Sequence, residues 1–325
     1  MRFWDNQIIG NRAGISGTQV LGGDYGGLYV EDIESGGEVD FRRNQILSNT
    51  AYLTGTTGGD SGSMYAKLEG GGLLTMVGNT IAGNEAQGRI AGLATELFGG
   101  ARLVLEENVI RTNHAGVDNI GLYIYGTGDS QYFLRRNQIV GNSAGVRGAG
   151  LYLQNVDTLE PLWGVSENNL IADNSSAGVY LHDADFWSTN DTLADNGNYG
   201  IVMTGTVAST AHLSNTLVWG HNRSFVRTNV ITHTDAFTMV ATYSDIEGGW
   251  SGTGNIAADP LFVGGGDYHL QSGSPAIDVV PAWMAPPTDL DGLPRPYPAG
   301  GLADIGAYEW GEQKIYLPLV LRDAP

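Results

Sequence analysis

Apolar and polar positions alternate along this chain in runs of three to five residues, bounded by glycine or asparagine. Val39-Asp40-Phe41-Arg42, Leu103-Val104-Leu105-Glu106 and Tyr132-Phe133-Leu134-Arg135 are one set; Gly121-Leu122-Tyr123-Ile124, Gly150-Leu151-Tyr152-Leu153 and Gly178-Val179-Tyr180-Leu181 are another. Period two with glycine or asparagine at the ends predicts short strands, and the absence of a useful 3.6-residue stripe predicts almost no helix. Between the two sets stands a recurring phrase of asparagine, any residue, an aliphatic, two more residues and asparagine. It reads Asn44-Gln45-Ile46-Leu47-Ser48-Asn49, and it returns from Asn6, Asn79, Asn108, Asn137 and Asn169, with weaker copies at Asp191 and Asn215. A phrase returning every 22 to 38 residues predicts a solenoid. Three short strands joined by turns make one coil, and coils pair in parallel about 4.8 Å apart, so eight to ten coils make a rod on the order of 40 Å long.

Stacking gives the asparagines a task. Asn tolerates left-handed turn conformations, and equivalent amides one coil apart can bond one another, so Asn44, Asn79, Asn108, Asn137 and Asn169 are expected to form a structural ladder. Residues 50–62 and the glycine-rich stretch near 17–27 lengthen the early units as insertions, where solenoids carry specificity.

Composition narrows the function. The 325 residues carry a net charge of −19 and only two lysines, Lys67 and Lys314, which argues against nucleic acid as a partner. Arg42-Arg43 and Arg135-Arg136 read as solvated or acid-paired turn residues. The lack of cysteine excludes disulfide scaffolds and cysteine metal sites. No apolar run is long enough to cross a bilayer, and no signal-peptide pattern stands at the start. Arg2-Phe3-Trp4-Asp5-Asn6 already reads as mid-repeat, so the chain is expected to begin inside a longer protein.

After residue 240 the rhythm changes. Gly254-Asn255-Ile256, Asp259-Pro260-Leu261-Phe262-Val263, Ser274-Pro275-Ala276-Ile277-Asp278, Asp289-Leu290-Asp291-Gly292 and Asp304-Ile305-Gly306-Ala307-Tyr308-Glu309 follow in order. With the asparagine coils, this series resembles bacterial secreted right-handed parallel β-helix proteins of the choice-of-anchor Q type. The resemblance implies an exported or surface-displayed right-handed parallel β-helix. The expected organisation is coils over 1–240, the last coils with a loop-rich cap over 241–313, and a tail over 314–325. Proline-rich residues 281–298 are expected to lie over the last coil and shield its open edge. The tail Ile315–Arg322, which resembles terminal sequences of secreted proteins from filamentous green non-sulfur bacteria, is either a sorting signal or a capping strand.

Candidate chemistry is sparse. If the aliphatics of the glycine-tyrosine runs fill the interior, Tyr29, Tyr65, Tyr123, Tyr152 and Tyr180 point outward on one face. There they stack to stabilise the sheet or bind the apolar side of sugar rings. Asp183 and Asp185, near Asp191 and Asp195, are candidates for calcium, a hard cation that takes oxygen ligands, or for the paired acids of a glycosidase. Gly220-His221-Asn222 and Thr234-Asp235 are fragments of a polygalacturonase-like pattern whose paired aspartates and basic element are missing, so no catalytic residue is assigned. The first expectation is a non-enzymatic extracellular or cell-surface protein for adhesion, glycan binding or surface structure. The alternatives are a polysaccharide lyase or glycoside hydrolase working in a groove, and a subunit that associates end to end into a filament.

Overall fold

The computed structural model describes residues 1–13, 26–34, 36–51, 62–88, 90–144, 147–156, 161–228 and 237–311, with side chains left undescribed at 32, 118–120, 147 and 226–228. The insertions over 14–25 and 52–61, Thr234-Asp235 and the tail Ile315–Arg322 lie outside the described residues. The described residues wind into nine coils, each entered by a strand of one sheet: Arg2–Trp4, Glu38–Arg42, Leu73–Val77, Arg102–Glu106, Gln131–Arg135, Trp163–Glu167, Phe186–Thr189, Ser209–Ser214 and Phe237–Thr242. These strands form sheet I. The asparagine phrase supplies eight of the nine strands of sheet II, such as Val109–Arg111, with Asp245–Ile246 the ninth, and the glycine-tyrosine run and its weaker copies supply seven of the eight strands of sheet IV, such as Ala177–His182, with Arg223–Thr228 the eighth. All pairings in these sheets are parallel and join each coil to the next.

The expected three-strand coil is present, and the first five coils add a fourth element. Two-residue strands such as His114–Ala115 directly follow the second asparagine and pair as sheet III. The only described helix is a short 3₁₀ turn, Ala282–Met284.

Inside, like side chains sit over like. Ile46, Ile81, Ile110, Ile139, Ile171 and Leu193 occupy one column of sheet II in register, each almost fully buried. Each such burial is worth roughly 1.5–3 kcal/mol, and stacking repeats it coil after coil. Tyr132 in coil 5 is also buried. An added Cβ on Gly164, its partner in coil 6, would lie 2.5 Å from the Tyr132 ring, so glycine is what leaves room for it. The Tyr132 hydroxyl then donates to the carbonyl of Asp185, between coils 6 and 7.

The cap takes a course that differs from the expectation. Residues 281–298 do not lie over the last coil. They run along the flank of the rod with the rest of the cap, on the outer face of sheet II. Asn168 donates to Thr288 O, Asn190 to Asp304 O and Gly306 O, and Asn215 to Met284 O. Leu170, Ala172 and Ala194 pack there on Tyr268, Leu290 and Tyr308. The physical reason is composition. One outward column of sheet II passes from Gln45 in coil 2 and Gln138 in coil 5 to Leu170 in coil 6 and Leu217 in coil 8, and beside it Ala172 and Ala194 are small, so this stretch needs a cover. The C-terminal edge is instead closed by residues 247–256. Trp250 donates to Met239 O, Asn255 donates to Ala241 O and Trp250 O, and Ile256 forms a parallel bridge with Asp245.

Candidate functional site

The asparagines build two ladders. In the first, the backbone N–H and the side-chain amide of Asn44 both donate to Oδ1 of Asn79, at 2.9 Å each, and its second amide proton goes to Phe3 O in the coil before. Asn79, Asn108 and Asn137 repeat this arrangement. At Asn169 the acceptor becomes Asp191 Oδ1. A second ladder of the same form runs from Asn11 through Asn49, Asn84, Asn113, Asn142 and Asn174 to Asn196.

The left-handed turn conformation falls on the residue before each ladder position, not on the asparagine. Arg43, Glu107, Arg136, Asn168, Asn190 and Asn215 have φ between 50° and 56°, and none of the ladder asparagines has a positive φ. The weak copy at Asn215 is therefore shifted by one. Asn215 is the corner, Thr216 takes the ladder position, and Val218 rather than Leu217 points inward. The first ladder resumes at its far end, where Thr216 N donates to Ser244 Oγ and Ser244 N to Asn255 Oδ1.

The tyrosines lie on the outer face of sheet IV in one column, interrupted at Ala94. Tyr29 and Tyr65 stack at 5.2 Å and 13°, Tyr152 and Tyr180 at 4.7 Å and 6°, while Tyr123 and Tyr152 are tilted by 57°. A parallel stack spends ring faces on neighbouring rings and turns edges to solvent. The geometry serves cross-coil cohesion better than sugar contact.

Asp183 and Asp185 are held by backbone. Asp183 Oδ1 accepts from Thr206 N and Val207 N, and Asp185 Oδ1 accepts from Thr210 N at 2.7 Å. Asp191 lies apart from them as the buried end of the first ladder, where Ser188 Oγ donates to its Oδ2. Burial pushes its carboxyl up to about 6. Among the described residues no group of three or more His, Asp or Glu is arranged to hold a metal. His221 stands in the second ladder's column, with its ring nitrogens 3.0 and 3.1 Å from Asn196 O and Leu193 O; burial lowers its pKa.

The signature strings build the cap. Asp289, Asp304 and Glu309 each accept two backbone N–H bonds around the buried Arg295. Beside them is a cavity of about 710 Å³, lined by Asp267, His269, Asp291 and Trp310 among others. His269 is bracketed there by Asp267 at 2.6 Å and Asp291 at 2.9 Å. Its bond to Asp291 comes first among the causes that raise its pKa to about 9.

A different surface stands open. On the outer face of sheet I, Trp187 follows Val165 and precedes His212 in one column, and Trp163 lies in the next column one coil earlier. The two indoles are 38% and 46% exposed. Their Cα atoms are separated by about 8 Å, from one coil step and two residues along the strand. One face of Trp187 lies on His212 at 3.7 Å and 14°; the other looks toward Val165, too short to cover an indole. No described ring is stacked on Trp163. Tyr132, Gly164 and the Asp185 carbonyl fix the backbone from which both indoles project. The pair was legible as two exposed strand positions, Trp163 and Trp187, but their convergence depended on the coil register.

A family model described as right handed beta helix region matches residues 10–218. No curated protein and no solved structure gives a significant match to the chain.

Proposed function

The chain belongs to the right-handed β-helix family, and on that premise we propose that it is a non-enzymatic extracellular or cell-surface protein that binds polysaccharide on the outer face of sheet I. The observation that carries this reading is the Trp163–Trp187 pair, two large aromatic side chains exposed on a rigid flat sheet. Singly exposed apolar side chains are ordinary, but two large aromatics side by side on one sheet face form an apolar patch of the kind that serves as a binding surface. The family, the acidic surface and the C-terminal strings favour the extracellular setting. The non-enzymatic part is supported by where the most displaced titratable groups lie. Asp191 and Asp304 are committed to ladder and cap bonds, and His269, which lines the cap cavity, is held between Asp267 and Asp291.

The test is affinity electrophoresis against a panel of soluble polysaccharides, with Trp163→Ala/Trp187→Ala beside Tyr152→Ala/Tyr180→Ala. Retardation lost in the tryptophan variant and kept in the tyrosine variant supports the reading, and the reverse outcome returns the site to sheet IV. Release of reducing ends or unsaturated products, with or without calcium, would replace it with an enzyme.

A further inference from the structure

The outer face of sheet I changes character along the rod. In coils 2, 4 and 5 the outward positions carry Glu38, Asp40, Arg42, Arg102, Glu106 and Arg135, beside a central column that is uncharged from coil 3 on, at Thr75, Val104, Phe133 and Val165. From coil 7 onward the central column is Trp187, His212 and Val240, and the flanking positions are hydroxyls: Thr189, Thr210, Ser214, Thr238 and Thr242. Asp185 and Glu167 are the carboxylates nearest the tryptophans on this face, and one oxygen of Asp185 is already held by Thr210 N.

We propose that the polymer taken by this face is an uncharged polysaccharide; the inference rests on the polysaccharide reading above. Three features argue for it. The patch from coil 7 onward has an apolar spine with hydroxyls on both sides, spaced about 4.8 Å apart from coil to coil. Hydroxyls both donate and accept, which matches the hydroxyls of a neutral sugar and gives no ionic grip. The charges that could hold a uronate or sulfate lie on other coils, and a molecule of net charge −19 repels a polyanion at long range. A polycation would need several free carboxylates in the patch, where only Asp185 and Glu167 border the indoles. His212 adds no fixed cation. Burial, only partly offset by Asp185, holds its pKa below the ordinary value, so it is neutral at pH 7.

The experiment is isothermal titration of the whole chain with xyloglucan, mixed-linkage β-glucan and dextran as neutral probes, polygalacturonate as polyanion and chitosan as polycation. Each is repeated with Trp163→Ala/Trp187→Ala, whose thermal midpoint is checked first, and at low and high salt. The expected result is binding of at least one neutral polymer, weakened tenfold or more in the variant. That binding should change less than about twofold between 0.02 and 0.5 M salt, because screening acts only on charges. Polygalacturonate or chitosan as the sole polymer bound, with loss in the variant, would overturn the uncharged class and leave the aromatic site standing. Neutral binding that the variant keeps would overturn the site itself. Binding of none would overturn both.

Discussion

At the scale of single residues, the asparagines carry the fold's polar accounting. Each central ladder amide donates to the next coil's amide oxygen and to a carbonyl of the coil before, while its own oxygen accepts twice. Nothing polar is left over in a strip that would otherwise strand buried donors. Asn108→Ala removes the acceptor for both donors of Asn79 and should cost about 3 kcal/mol in chemical denaturation. Asn6→Ala, at the exposed end with one neighbour, should cost well under half of that. At Asp191 a carboxyl takes the amide's place, and the next coil offers Thr216 in place of an asparagine. Its carboxyl is raised to about 6 by burial. The stability linked to that proton is complete below the unfolded value near 4 and is lost as pH rises through 6. Asp191→Asn should therefore raise the thermal midpoint at pH 8 and leave it nearly unchanged at pH 5. A midpoint lowered equally at both pH values would show that the carboxylate is needed as an ion.

At the scale of elements, close approach decides which residues are interchangeable. In three strands of sheet IV the glycines Gly121, Gly150 and Gly178 abut the second ladder. A Cβ on Gly150 would lie 2.6 Å from Asn174 Nδ2 and 2.6 Å from Ile171 Cγ2. Gly150→Ala should destabilise by about 1–3 kcal/mol through overpacking, measured against a solvent-facing control such as Gln45→Ala. The cap obeys a different rule, because it exists to cover an apolar stretch of sheet II. Leu170→Glu places a charge against Leu290 and Tyr308 and should make residues 258–311 sensitive to limited proteolysis while the circular dichroism of the coils persists. The cap's position could not be read from its prolines. What places it is the change along one outward column of sheet II from Gln45 and Gln138 to Leu170 and Leu217, visible only once the register separates outward from inward. Trp163 and Trp187 follow the same logic. They lie in different repeats, and only parallel pairing brings them to one patch.

At the scale of the whole molecule, the raised carboxyls and His269 share one sign, while burial moves His221 and Arg295 the other way. Burial, then the nearby Glu309, pushes Asp304 up to about 7; burial pushes Asp245 up to about 6; and the bonds to Asp291 and Asp267 raise His269 to about 9. A raised folded-state pKa contributes stability that is complete below the unfolded pKa and disappears as pH climbs through the folded one. The carboxyls therefore withdraw stability between about pH 4 and 7, and His269 between about 6.5 and 9. The thermal midpoint should fall by several degrees from pH 5 to pH 9, with the cap releasing before the coils. A midpoint that rises over this range would contradict the burial of these groups.

The repeated phrase and the period-two runs, by themselves, determined that the chain is a parallel solenoid, because a strand's alternation and a repeat's spacing are local properties that survive without knowing what touches what. The sequence also pointed to Asn44 and its counterparts as stacking positions. Only the tertiary structure decided that the turn strain sits one residue earlier, at Arg43 or Glu107, that a cap lies along the flank, that tyrosines pair face to face as Tyr29–Tyr65 and Tyr152–Tyr180, and that two tryptophans from neighbouring coils stand open together. Each of these depends on which residue of one coil lies over which residue of the next, and the variable length of the intervening turns hides that register from the linear chain.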